Sequence, residues 1–170
     1  MRKVENGFIV FPEEYNHIRE YHNAIQNGEV IANYKITQQM KYLVEQMDTD
    51  DSEYYYDHKK ATAPITFIEN FITHFKGQNA GKPFLLELWQ RAIISATFGF
   101  IHKETGLRRY RELLLMVSRK NGKSFLSSAI SVYMQFAEGE NAPAIVSVAT
   151  KRDQAKLVFD VSKRMIQGSK

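Results

Sequence analysis

No cysteine occurs among the 170 residues. Disulfide scaffolds, cysteine-based zinc sites and thiol nucleophiles are therefore excluded, and a reducing interior such as a cytoplasm fits. Proline and glycine are sparse, at 4 and 9 residues, so collagen-like and low-complexity architectures are out. No apolar run approaches the roughly 20 residues that a membrane helix needs. The opening residues 1–11 also lack an apolar stretch of the signal-peptide kind, so neither a membrane nor a leader is expected. The five histidines form no metal-binding or triad pattern. What is present is the composition of a folded chain: 44% hydrophobic and 25% charged residues exclude global disorder. The length suits one domain or slightly more.

Charge is unevenly placed. Residues 1–100 carry 10 basic and 13 acidic side chains, whereas residues 101–170 carry 13 and 6. The basic half suits an anionic partner such as a nucleotide or nucleic acid, and equally a solvated basic surface.

Apolar spacing of three and four residues predicts helices over most of the first hundred positions. Tyr15, Ile18, Tyr21 and Ile25 share one face from Glu13 onward, with Asn27-Gly28 as the stop. Ile36, Met40, Leu43, Val44 and Met47 mark a second helix. Asp48-Thr49-Asp50-Asp51-Ser52-Glu53 reads as a polar linker; its acidic spacing lacks the glycine and distal glutamate of a calcium loop. Pro64 is expected to open a third helix, which carries Phe67, Ile68, Phe71, Ile72 and Phe75 and ends at Lys76-Gly77. A turn at residues 78–81 and a fourth helix from about Leu88 to Phe98 follow.

Beyond Gly106 the texture changes. Residues 113–117 and 144–149 are short continuous apolar runs, as strands buried on both faces would be. Each precedes a helical pattern, Gly122 to Ala137 and then a stretch through Ile166 that Thr150 and Asp153 would start with a capping box. The order strand, helix, strand, helix predicts a parallel sheet with right-handed crossovers. The fold class expected is α/β: a mainly helical region over 1–80, then over 81–170 the first half of a parallel sheet, incomplete as it stands.

At the first strand-to-helix junction the chain reads Val117-Ser118-Arg119-Lys120-Asn121-Gly122-Lys123-Ser124. This is the phosphate-binding pattern G-x-x-x-x-G-K-[ST] with Val117 in place of the first glycine. Backbone amides at a helix N-terminus attract phosphate, Gly122 allows close approach, Lys123 suits the β- and γ-phosphates, and the Ser124 hydroxyl suits Mg²⁺. The same residues could also be a polar helix start.

The chain resembles the N-terminal part of the large terminase subunit of tailed bacteriophages, the ATP-driven motor and nuclease that packages DNA. That family carries a deviant loop, Ser-Arg-x-x-Gly-Lys-Ser/Thr, which residues 118–124 fit. Phe84-Leu85-Leu86-Glu87-Leu88-Trp89-Gln90, Phe98-Gly99, Arg108-Arg109 and Ala149-Thr150-Lys151-Arg152-Asp153-Gln154-Ala155 also suit it. So do Asn27-Gly28-Glu29-Val30 and Phe67-Ile68-Glu69, and the similarity covers about residues 20–167.

The resemblance implies roles residue by residue. Ser118, Arg119, Lys120, Asn121, Gly122, Lys123 and Ser124 would hold ATP, with Ser124 on Mg²⁺, and Arg119 would sense or stabilise the γ-phosphate. Gln90 would contact adenine, with a helix cap as the alternative. Trp89 is better read as core packing than as a stacking plate, and Gln154 as either a nucleotide or strand sensor or an exposed helix residue. Implied partners are double-stranded viral DNA, the small terminase subunit and the portal protein, in a homo-oligomeric ring in the host cytoplasm. Neither an apolar strand ending in Asp-Glu nor the nuclease carboxylates follow residue 149. Binding with little or no turnover is therefore expected of this piece alone. A helicase-like motor and a non-catalytic DNA- or partner-binding module remain as alternatives.

Overall fold

The computed structural model describes residues 2–49 and 52–168, so two of the linker's acidic residues, Asp50 and Asp51, lie outside the described residues. The chain forms two compact units, Met1–Ile65 with Leu86–Leu113, and Thr66–Leu85 with Leu114–Lys170.

The first unit opens with a hairpin of β1 (Lys3–Glu5) and β2 (Phe8–Val10), in which Glu5 faces Phe8. Asn6 and Gly7 both have positive φ, 51° and 84°, as a two-residue turn matched to strand twist requires. Helix α1 (His17–Gln26) starts four residues later than its apolar spacing predicts. Asn16 decides the boundary, because its Oδ1 accepts from the backbone N–H groups of Ile18 and Arg19, each at 3.0 Å. Asn33 caps α2 (Tyr34–Met47) in the same way through Ile36.

Strand β3 (Tyr54–Tyr56) pairs antiparallel with β4 (Phe100–His102), and α4 (Leu88–Gly99) runs directly into β4. Ile18, Tyr21, Met40, Leu43, Ala92 and Phe100 form the core of this unit, with Trp89 packed against it. Burial of each large side chain there contributes about 1.5–3 kcal/mol. Gly99 is required by space: a Cβ would lie 2.6 Å from Tyr56 Cε2 and 2.7 Å from the Ala61 Cβ.

Helix α3 (His58–Phe71) begins six residues before the expected Pro64 start and ends before Phe75. Asp57 supplies the cap, its Oδ1 accepting from the Lys60 N–H at 3.0 Å. Pro64 therefore sits inside the helix. A proline there removes one i to i−4 hydrogen bond, the cost of which packing of the flanking isoleucines offsets: Ile65 and Ile68 are fully buried. After α3, the chain makes a 3₁₀ turn at Gly77–Asn79 and an antiparallel bridge between Thr73 and Pro83.

The second unit is built on α5 (Lys123–Phe136) packed against α6 (Arg152–Gly168). Ile68, Ile72, Phe84, Leu126, Ala129, Val132, Tyr133 and Met165 are its buried apolar residues. The hydroxyl of the fully buried Ser128 reaches the Val158 carbonyl of α6 at 3.0 Å and its own Ser124 carbonyl at 2.7 Å.

The expected parallel sheet is not formed among the described residues. The four strands make two separate antiparallel pairs, and neither 113–117 nor 144–149 is a strand. Leu114 is 85% exposed and Val148 87%. A continuous apolar run signals a strand only when neighbours supply a hydrogen-bond ladder and two covering layers; no backbone hydrogen bond joins either stretch to another among the described residues. The described chain is α/β, with six helices and short strands.

Candidate functional site

The loop that ends in Ser124 is positioned by the helix it starts. Phe125, one residue on, stacks on His74 (5.2 Å between ring centres) and Phe75 (5.7 Å) and meets Phe84 edge-on at 4.5 Å. These contacts fix the first turn of α5 in the second unit. Burial in this aromatic cluster lowers the His74 pKa below its ordinary value.

From that anchor the loop folds on itself. Gly122 is the N-cap of α5 with φ 73°, a left-handed conformation that glycine adopts without strain. Lys120 has φ 69°, which is costly for a residue with a side chain. The Asn121 side-chain amide donates to Ser118 Oγ at 2.6 Å and to the Ser118 carbonyl at 3.3 Å. Lys123 Nζ turns back, donating to the Val117 carbonyl at 2.8 Å and to the Ser118 carbonyl at 3.3 Å. Ser118, Asn121 and Lys123 are thus brought together. Arg119, Lys120 and Ser124 are exposed, with Ser124 in the first turn of α5.

The chemistry of this loop fits an anion. The first hydrogen bond of α5 is donated by Leu126 to Gly122, and no side chain caps the helix. The amides of Lys123, Ser124 and Phe125 therefore have no intrahelical acceptor, and they stand at the positive end of the helix dipole. Loops with left-handed residues between such amides form concave anion cradles. For a divalent cation the protein offers less. Among the described residues no group of three His, Cys, Asp or Glu side chains comes together.

Gln90 belongs to the first unit, whereas the loop belongs to the second. Gln90 is 5% exposed, and its Oε1 accepts from the Glu87 backbone N–H at 2.9 Å, at the start of α4. The Gln90 acceptor is thus used locally. Gln154 is exposed, and its Oε1 accepts from the Thr150 hydroxyl at 3.3 Å. That contact replaces the expected Thr150–Asp153 box: α6 starts one residue later, at Arg152, on the Lys151 carbonyl, which accepts from Gln154 and Ala155.

Two polar features had no role assigned from sequence. His17 is fully buried between Phe11 and Tyr15, and both of its ring nitrogens lack a hydrogen-bond partner. Arg109 is held among tyrosines in the first unit. Tyrosine density around residues 54–56 is the only sequence signal that points to the second feature.

Residues 88–170, just under half of the chain, match the family described as terminase large subunit, ATPase domain. The matched stretch takes in residues 88–90 and the motifs of residues 118–124 and 149–155, so it agrees with the resemblance those motifs carry. No curated protein and no solved structure matches the chain. No helix of the described residues is long and apolar enough to cross a membrane.

Proposed function

We propose that the chain is the ATP-binding portion of a phage terminase large subunit, which couples nucleotide hydrolysis to movement of double-stranded DNA into a procapsid. One observation carries this reading: an N-terminus of α5 capped by Gly122 and by no side chain, preceded by Ser118–Asn121, opened by Lys123 and lying within a terminase ATPase match. Lys123 would exchange its two carbonyl acceptors for β- and γ-phosphate oxygens. The amides of 123–125 would add donors without cost in side-chain ordering. The always-charged Arg119, exposed beside them, would stabilise charge on the γ-phosphate. Mg²⁺, held through Ser124, would neutralise phosphate charge when bound.

Residues 81–170 carry this function, with residues 1–80 as a mainly helical lead-in. Gln90 would meet adenine through its side-chain amide, whose Oε1 already accepts from the Glu87 N–H. Double-stranded DNA, the small subunit, the portal protein and a homo-oligomeric ring in the host cytoplasm complete the proposal, and binding without appreciable turnover is proposed for the chain by itself. Titration with a fluorescent ATP analogue tests it: saturable binding that Lys123→Ala weakens at least tenfold supports the reading, and equal affinity of the two proteins defeats it.

A further inference from the structure

Arg109 is fixed on four sides by neutral partners. Its backbone N–H donates to the Phe100 carbonyl at 2.8 Å, which ties the residue to β4. Nη1 donates to Gln46 Oε1 at 2.9 Å, and Nη2 donates to the Tyr42 hydroxyl at 3.0 Å. The guanidinium lies 4.8 Å from the Tyr54 ring centre and 5.5 Å from that of Tyr110. Every one of these partners is neutral, and no carboxylate among the described residues pairs with it. A structural arginine joining α2 to the β3–β4 pair is more economically balanced by an acid, as Arg19 is by Asp48 nearby. Here the planar fork is oriented, most of its rotamer entropy is already lost, and three of its five N–H donors are unused by Gln46 and Tyr42.

The surroundings suit an extended polyanion. Gln46 and Tyr54 also line a polar cavity of about 310 Å³, together with Tyr55, the exposed Lys103 and Arg19, whose charge Asp48 balances. Arg108, stacked over Phe98 at 4.8 Å, and the exposed Arg111 flank Arg109 along the chain. Arg109 itself is half-buried, with basic neighbours along the chain, and does not line an enclosed pocket for one small ion.

We propose that Arg109 is a preoriented receptor for a backbone phosphate of double-stranded DNA, with Lys103, which lines the cavity beside Gln46 and Tyr54, as a second contact. The choice of DNA as the source of that phosphate rests on the proposed function; the geometry of the receptor does not. The contact is sequence-independent, because phosphate contacts position a protein on the duplex and carry no base information.

The test uses the full chain and a short labelled DNA duplex, followed by fluorescence anisotropy over a range of salt concentrations. Arg109→Gln is expected to weaken binding about tenfold at low salt and to flatten the salt dependence by about one phosphate contact. Arg109→Lys keeps the salt dependence and recovers only part of the affinity, since it restores charge without the fork. Lys103→Gln, at an exposed position, is expected to cost about threefold. Circular dichroism and thermal melting establish that each variant is folded. Unchanged duplex affinity in folded Arg109→Gln overturns the proposal; if that variant does not fold, unchanged affinity in Lys103→Gln does so. Competition by inorganic phosphate or ATP beyond the effect of equal ionic strength also overturns it, since the site would then be a free-phosphate or nucleotide pocket. ATP binding is measured on the same proteins. Loss of duplex binding with ATP binding intact supports the proposal, whereas absence of ATP binding with salt-dependent duplex binding intact counts against the ATPase reading alone.

Discussion

The Lys123 ammonium lies 2.8 Å from the Val117 carbonyl, so the loop is closed by the side chain that would open onto a nucleotide. Val117 stands where phosphate loops usually have their first glycine, and here its carbonyl is the acceptor. A carbonyl acceptor is indifferent to the side chain attached to it. Val117→Gly is therefore expected to leave nucleotide affinity within about threefold of the parent, while Gly122→Ala lowers it by about tenfold or more. The alanine would have to adopt φ 73°, at about 1–2 kcal/mol. Parallel titrations of the two variants check this contrast.

Lys120 offers the complementary change. Its φ of 69° disfavours any residue with a Cβ. Lys120→Gly relieves that strain and is expected to change the thermal midpoint upward or not at all, within about 1 kcal/mol, because glycine also loosens the unfolded chain. A clear fall in Tm would mean that the lysine side chain holds the loop.

Gly99→Ala is expected to destabilise the first unit by about 1–3 kcal/mol, through overpacking against Tyr56 and Ala61. Chemical denaturation measures the loss. Adding Ala61→Gly removes one of the two clashes, so the double variant should recover part of the midpoint despite the new helical glycine.

Stability should fall in mild acid because of His17. Burial, followed by repulsion from Arg91, His58 and Arg2, lowers its pKa from the ordinary 6.5 to about 3. The folded state therefore holds His17 neutral where the unfolded chain would protonate it. Its contribution is complete above pH 6.5 and declines as pH falls from there toward 3, by up to about 1.4 kcal/mol per pH unit. Midpoints of urea unfolding across this window measure the slope, and His17→Phe should flatten it.

Val148→Lys distinguishes the exposed arrangement from the buried strand that its sequence suggests. At 87% exposure the substitution should shift stability by less than about 0.5 kcal/mol. A loss of several kcal/mol would show that residues 144–149 are covered after all.

Helices were legible because their signal is local. Ile18, Tyr21, Met40 and Leu43 fall on buried faces, as their spacing requires. Boundaries moved where a single polar side chain outweighed the pattern, at Asn16 and Asp57. Pro64 misled because its usual place in the first turn is a preference, and burial of Ile65 and Ile68 was strong enough to carry it inside. Strands depended on distant partners. Tyr54–Tyr56 finds Phe100–His102, a pairing no local pattern announces, while the more hydrophobic residues 144–149 find none among the described residues. The candidate loop was legible because, as in the helices, its signal is local: the side-chain bonds of Asn121 and Lys123 stay within residues 117–123. The Arg109 cage draws on Tyr42, Gln46, Tyr54 and Tyr110, and only folding brings them together.

The two units are interleaved along the chain, and this sets an order of synthesis. Once Leu113 has left the ribosome, every residue of the first unit is available. Ile68, Ile72 and Phe84 have by then been made, yet they must wait for Leu126, Tyr133 and Met165 before their own core can close. For that interval an apolar segment stays uncovered after the first unit is complete, the condition under which nascent chains recruit chaperones or associate. A protease can release the first unit by one cut after Leu113, with residues 66–85 retained as an insertion, but no single cut yields the second unit whole.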